Sequence, residues 1–372
     1  MVGCASAKQA HPIARQEKPL GVVASLAATD RRSPGTAPVP AAGEDALTTL
    51  LGLVQGDMAA CNRAIVARMD SPVALIPQLA AHIVAAGGKR LRPLLTLATA
   101  RMCGYPPAAG GLRHVHLATC VEFIHTATLL HDDVVDESLL RRGLASANAV
   151  FGNKASVLVG DFLFARAFQL MVEDGSLRVL EILAGAAATI AEGEVLQLAT
   201  QNDLSTSEDQ YLDVVRGKTA ALFAAACQVG AVVAAQPAPA EAALAEYGMN
   251  LGIAFQLVDD ALDYAADQAT LGKTVGDDFR EGKITLPVLH AYTAGDAPER
   301  AFWQRTIEAS EQTEADLDEA MRLIARHGAI RATLARADGF AQAAKANLAA
   351  FPDSPIRRCL AEIADFTVSR AS

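Results

Sequence analysis

The chain has 372 residues, 51% of them hydrophobic, enough to bury a sizeable core in one large domain or two ordinary ones. Lys+Arg 32 against Asp+Glu 42 leaves a net charge of -10, which argues against a nucleic-acid-binding surface. The six cysteines (Cys4, Cys61, Cys103, Cys120, Cys227, Cys359) form no C-x-x-C pair and show no zinc-type histidine spacing, so reduced thiols in a cytoplasmic protein are expected.

Residues 1–44, rich in Ala, Pro, Ser and Gly, read as a disordered extension. Their shortage of acids leaves a transit peptide open as the alternative. From residue 45 the apolar spacing of three and four predicts amphipathic helices to about residue 86. Gly87-Gly88 breaks the pattern, and Arg92-Pro93 predicts an extended residue before a short helix over 94–103. A long apolar helix follows over about 113–138. Further helices are predicted over 145–173, 177–200, 207–235, 240–267, 284–295, 297–310 and 314–349. No alternating strand pattern is evident, so the expected fold is all-α: one domain, 45–372, built as a helical bundle with a central apolar cavity. The uncharged stretch from Thr219 to Ala240 approaches the length of a membrane span. It is mostly alanine, with Gln228 and Gln236 inside, and reads as a buried core helix, so no transmembrane span is expected.

Two Asp-Asp-x-x-Asp clusters carry the chemistry: Asp132, Asp133 and Asp136, then Asp259, Asp260 and Asp263. Helical spacing puts the first and last aspartate of each cluster on one face, with the middle one about 100° away. Acids on a helix are usually a solvated face, but these follow the apolar runs Phe123–Leu130 and Ile253–Val258. No lysine or arginine lies one turn away on either side. Such carboxylates want divalent cations, and an all-oxygen ligand set selects Mg²⁺ or Mn²⁺ shared with substrate phosphates. Cations for a diphosphate are available in Gly87-Gly88-Lys89-Arg90-Leu91-Arg92-Pro93 and Arg141-Arg142-Gly143, in Gly217-Lys218-Thr219, and in the stretch 271–283 with Lys273, Arg280 and Lys283. Asp277 and Asp278 in that stretch read as partners of Arg280 rather than further site acids.

The motifs G-G-K-R-L-R-P, L-L-H-D-D-V-V-D-E-S-x-x-R-R-G, G-K-T and F-Q-L-V-D-D-A-L-D-Y resemble, in order and spacing, those of the trans-polyprenyl diphosphate synthases. G-D-F-L-F-A-R-A-F-Q-L-M and A-E-G-E-V-L-Q-L are especially similar to the long-chain members that make ubiquinone side chains. The resemblance implies a homodimeric enzyme that adds isopentenyl diphosphate to an allylic diphosphate. Asp132, Asp136 and Asp259 would ligate about three Mg²⁺ ions. Lys89, Arg92, His125 and Arg142 would bind isopentenyl diphosphate; Arg141, Lys218, Thr219, Gln256 and Lys273 would bind the allylic partner. His125 lies two turns before Asp132 on one face, although a lone histidine there is more often a satisfied core residue. Ala127 and Thr128 lie about 6 Å below Asp132 by helix rise. Both are small, so a growing chain could pass, and a product of eight to ten isoprene units is implied. So apolar a product needs a bilayer or an acceptor, which leaves peripheral membrane contact open. A class I terpene cyclase would lack the second aspartate cluster and the G-G-K-R-x-R-P element, and an inactive regulatory subunit should have lost aspartates.

Overall fold

The computed structural model describes residues 42–85, 87–88, 90–106, 111–141, 143–265 and 275–370. The alanine- and leucine-rich segments are helical, as their propensities favour. In chain order they are α1 Ala42–Leu53, α2 Gln55–Arg68, α3 Leu75–Ala85, α4 Leu91–Met102 and α5 Arg113–Val135. A hairpin of β1 Leu140–Arg141 against β2 Leu144–Ala145 leads to α6 Ala147–Phe151, α7 Asn153–Asp174, α8 Leu177–Thr200 and α9 Glu208–Val215. A π-helical turn, Arg216–Ala220, joins α9 to α10 Ala221–Val233, and α11 spans Ala238–Ala265. The remainder comprises α12 Asp277–Arg280, α13 Leu286–Ala294, α14 Ala297–Trp303, a second π turn Gln304–Glu308, α15 Asp316–Arg326, α16 Ala329–Asn347 and α17 Pro355–Ser369. The fold is all-α; among the described residues the two-residue hairpin is the one departure.

Packing follows from the sequence of α10, ALFAAACQVGAVV, which is apolar around nearly its whole circumference. Such a helix must be enclosed. It is surrounded by α4, α5, α8 and α11, while α5 also packs on α7 and α11 on α16. The uncharged stretch beginning at Thr219 is therefore a core helix. Among the described residues, the helix with the length and apolarity to cross a bilayer is instead α7, and 44% of its apolar window is buried. A separate cluster around Trp303, Phe279, Tyr264 and Leu323 forms the C-terminal side.

Several boundaries differ from the sequence pattern for local reasons. The helix expected over 145–173 is interrupted at Gly152, and that over 207–235 contains the π turn. The long helix expected from 314 breaks at Gly328, whose φ of 61° is the left-handed conformation that glycine tolerates. Arg92 is not extended: the helix already begins at Leu91, with Arg90 making the turn at φ 44°. Pro93 fits in that first turn because its missing N–H would have no helical partner. The helix α17 lay beyond the predicted elements; Ser354 caps it by accepting from the Arg357 amide. The domain start expected at residue 45 falls inside α1.

Candidate active site

In both aspartate clusters the middle residue turns inward. Asp133 is 2% exposed and receives both Nε and Nη2 of Arg141, at 2.8 and 2.6 Å. Asp260 is 4% exposed and accepts from Tyr211 Oη at 2.5 Å and Gln256 Nε2 at 2.7 Å. Burial, the nearby Asp278 charge and Asp259 raise the Asp260 carboxyl to about 8, against these two hydrogen bonds. The middle aspartates, Asp133 and Asp260, are thus taken up by protein partners, which leaves the outer residues of each cluster as the candidate ligands. Asp133 and Asp260 anchor the ends of α5 and α11, which the 100° offset of the middle position allows.

The outer acids Asp132, Asp136, Asp259 and Asp263 are only part-buried, and the first three meet cations from far along the chain. Lys218 Nζ is 2.7 Å from Glu194 and 3.9 Å from Asp132. Lys283 Nζ lies 3.1 Å from Asp136 and 2.5 Å from Glu281. Arg370 Nη2 is 2.7 Å from Asp259 Oδ1. The absence of neutralising residues one turn away therefore does not leave the clusters bare. Even so, burial and neighbouring acids push Asp132 to about 7, and burial and the Asp278 charge push Asp263 to about 7. Burial disfavours the Lys283 ammonium, but Asp278, Asp136 and Glu281 outweigh it and hold its pKa above the ordinary lysine value.

A cavity of about 110 Å³ lies between these groups, lined by Lys218, Thr219, Gln256, Asp260, Asp278 and Lys283 among others. A second, of about 200 Å³, is bounded by Asp136, Glu137, Gln201 and Glu281. Charged side chains line both, beside apolar ones such as Leu198 and Val215; neither is the apolar cavity expected in the core. Thr219 Oγ1 donates to Gln256 Oε1 at 2.8 Å, so Gln256 spans from Thr219 to Asp260. The π turn carries Lys218 and Thr219 into this position, and α8 crosses it closely. A Cβ on Gly193 would come within 2.6 Å of the Lys218 amide nitrogen and 2.8 Å of the Gly217 carbonyl carbon.

Arg92 and His125 also come together: Arg92 Nη1 donates to His125 Nε2 at 3.3 Å. The Arg92 guanidinium lies 4.4 Å from the Phe223 ring centre, Phe223 packs on Phe255 at 5.6 Å, and Arg370 covers Phe255 at 4.4 Å. Thr128, half-buried, donates to the His125 carbonyl, while Ala127 is fully buried. Lys89, Arg142 and Lys273 lie outside the described residues. Asp277 does pair with Arg280 at 2.9 Å, but Asp278 instead gives its amide to Asp263 at 3.1 Å.

Arg370, Glu194 and Tyr211 were not foreseen, and Lys283 was seen without a role. Their partners are 24 to 147 residues away, so no local spacing marks them.

As to a metal, Asp132, Asp136, Asp259 and Asp263 supply the carboxylate oxygens a hard divalent cation takes. Acids raised by burial and mutual repulsion are the groups such a charge relieves. Among the described residues no three acidic, histidine or cysteine side chains are gathered tightly enough to hold an ion alone. This donor set fits an ion that completes its shell with water and substrate oxygens.

Residues 73–324 match the model of the polyprenyl synthetase family. The chain belongs to that family. It is 49% identical over 318 residues to octaprenyl diphosphate synthase of Escherichia coli (strain K12), covering 86% of this chain and 97% of that protein. Its fold is similar to a decaprenyl diphosphate synthase from Rhodobacter capsulatus (TM-score 0.83, 54% identity, 88% of this chain and 99% of that one). It is also similar to a polyprenyl synthase from Caulobacter crescentus CB15 (TM-score 0.84, 55% identity, 88% and 98% covered), whose structure is a complex with calcium and isoprenyl diphosphate. This family member is a prenyltransferase of the long-chain, all-trans polyprenyl diphosphate synthase type.

Proposed function

We propose that this synthase extends farnesyl or geranylgeranyl diphosphate with several isopentenyl diphosphates, giving an octa- to decaprenyl diphosphate for the ubiquinone side chain. The observation that carries this reading is a cavity lined by Lys218, Lys283, Gln256 and Asp260 of the second cluster, whose two lysines also reach the first cluster, at 3.9 Å from Asp132 and 3.1 Å from Asp136. Acids and cations in that arrangement suit a diphosphate bridged through divalent ions. Mg²⁺, about three ions with substrates in place and replaceable by Mn²⁺, would be held by Asp132, Asp136 and Asp259 and would neutralise the departing diphosphate.

The chain's own residues do the remaining work. Lys218, Lys283 and, through Gln256, Thr219 orient the allylic diphosphate as its C–O bond breaks and the electron pair leaves with oxygen. Arg92 and His125, with Lys89 and Arg142, hold isopentenyl diphosphate so that its double bond forms the new C–C bond. The proton lost from that unit passes to the released diphosphate. Arg141 and Lys273 complete the allylic side, Arg141 by fixing Asp133. The aliphatic surround excludes water that would quench the allylic cation. Asp132→Asn and Asp259→Asn should each lower incorporation of labelled isopentenyl diphosphate by at least about a hundredfold, with helicity unchanged. Retained activity in both would overturn the assignment.

The partner we propose is a second copy. Val157, Leu158, Phe168 and Val172 of α7 are exposed within one 100° stripe, and Leu177, Val195 and Leu198 of α8 with Leu139 and Leu140 of the hairpin are exposed too. Leu158 is 67% and Leu177 83% exposed. Apolar surface on this scale suits a homodimer interface, and Leu158→Arg should convert a dimer to monomer in sedimentation. The reading includes a cytoplasmic location, with the apolar product passed to a bilayer or acceptor. In this reading the catalytic domain begins with α1 at Ala42.

A further inference from the structure

Lys218 sits between two carboxylates and is closer to the one that the aspartate motifs do not include. Its Nζ is 2.7 Å from Glu194 Oε2 but 3.9 Å from Asp132 Oδ2. Glu194 is the residue after Gly193, where α8 passes so close to the π turn that a Cβ would strike the Lys218 amide. Close backbone packing therefore sets Glu194 beside the π turn, and the 2.7 Å hydrogen bond joins its carboxylate to the lysine. Its second oxygen, Oε1, is buried and has no hydrogen-bond partner among the described residues. An acceptor buried in that way costs stability unless a donor reaches it. Glu194 also lies near enough to add its charge to those that raise Asp132.

We infer that Glu194 is a positioning residue for the reaction: it holds the Lys218 ammonium away from Asp132, so that Asp132 stays available to the cation and Lys218 to the diphosphate. Without the glutamate charge, the nearest anion to Lys218 is Asp132, and the 3.9 Å gap closes to a direct ion pair. That pair competes with the divalent ion for the same carboxylate. The ammonium has three donors, so in the assembled site it can serve Glu194 and substrate oxygens together. Oε1 remains as an acceptor that a further donor would satisfy once the diphosphate is bound. The inference rests on the reading of Lys218 as a diphosphate-binding cation, and the test separates the two.

The probe is inorganic pyrophosphate with Mg²⁺, followed by the rise in melting temperature of the full chain as Mg²⁺ is titrated. Glu194→Gln keeps the shape and removes the charge. It should raise the Mg²⁺ concentration giving half the protection by about tenfold, the size of one charge-assisted hydrogen bond. Glu194→Asp, which restores the charge, should recover part of that loss. In a Lys218→Met background, Glu194→Gln should add little, because the residue acts through the lysine. Equal Mg²⁺ dependence for Glu194→Gln and the parent chain, or full additivity with Lys218→Met, would overturn the inference. If Lys218→Met leaves pyrophosphate protection intact, the reading of Lys218 fails instead, and the Glu194 inference with it. Should Glu194→Gln fail to fold, Glu194→Asp alone decides: a shift toward higher Mg²⁺ supports the inference, and an unchanged titration overturns it.

Discussion

Arg370, the last described residue, closes on Asp259 of the second aspartate cluster: Nη2 is 2.7 Å from Oδ1 and the guanidinium lies over Phe255, at 4.4 Å. The same guanidinium donates to the Phe255 carbonyl at 3.2 Å. A cation from the end of α17 thus occupies the outer carboxylate at which a divalent ion is proposed. Arg370→Gln removes the competitor, and half-maximal Mg²⁺ should fall by a few fold, since a part-exposed ion pair is worth only about 0.2–1 kcal/mol. Titration of pyrophosphate protection measures it. An increased Mg²⁺ requirement would show that Arg370 assists the bound state rather than guarding the empty one.

Gly193 is expected to be intolerant. A methyl group there would come within 2.6 Å of Lys218 N and 2.8 Å of the Gly217 carbonyl carbon, backbone atoms that cannot step aside. Gly193→Ala should cost about 1–3 kcal/mol in denaturant unfolding, and should also weaken pyrophosphate binding because the π turn carries Lys218. Gly185→Ala, in the same helix with nothing within 4 Å of the added methyl, is the control.

Product length should respond at Thr128 more cleanly than at Ala127. Thr128 is half-buried, whereas Ala127 is fully enclosed. Thr128→Phe should shorten the product with modest loss of stability. Ala127→Phe should overpack the core and lower stability by about 1–3 kcal/mol as well. Chromatography of the extracted products and thermal melts distinguish the two effects. An unchanged product from Thr128→Phe would remove α5 from the path of the growing chain.

Far from the acids, Asp57 links α2 to α4 and α5 through Arg101 at 2.6 Å and His114 at 3.1 Å. Burial holds His114 below the ordinary histidine value. Burial opposes the Asp57 charge, but hydrogen bonds from Arg101 and His114 prevail and lower its pKa. Both folded-state values are depressed, so both groups contribute stability above their unfolded values that is lost on acidification. The His114 contribution should begin to fade as pH falls through about 6.5, and that of Asp57 below about 4. The melting temperature should drop between pH 7 and 5, and His114→Gln should flatten that slope.

How much of this was legible in the chain depends on range. The all-α fold, the core helix α10 and both aspartate clusters follow from local spacing, whereas the contact of Arg92 with His125 spans 33 residues. The inward turn of Asp133 and Asp260 was implicit in the 100° offset, but their partners Arg141 and Tyr211 had to be seen. Arg370, Lys283 and Glu194 act across 24 to 147 residues, and no periodicity encodes that. The π turn at 216–220 is likewise invisible to a 3.6-residue pattern, yet it sets where Lys218 and Thr219 point.

The most direct test is to incubate the purified chain with farnesyl diphosphate and labelled isopentenyl diphosphate, with Mg²⁺ or with a chelator, and to measure product length. The account requires all-trans products of eight to ten isoprene units with Mg²⁺ and none with the chelator. Products that stop at three or four units, or elongation that survives the chelator, would contradict it.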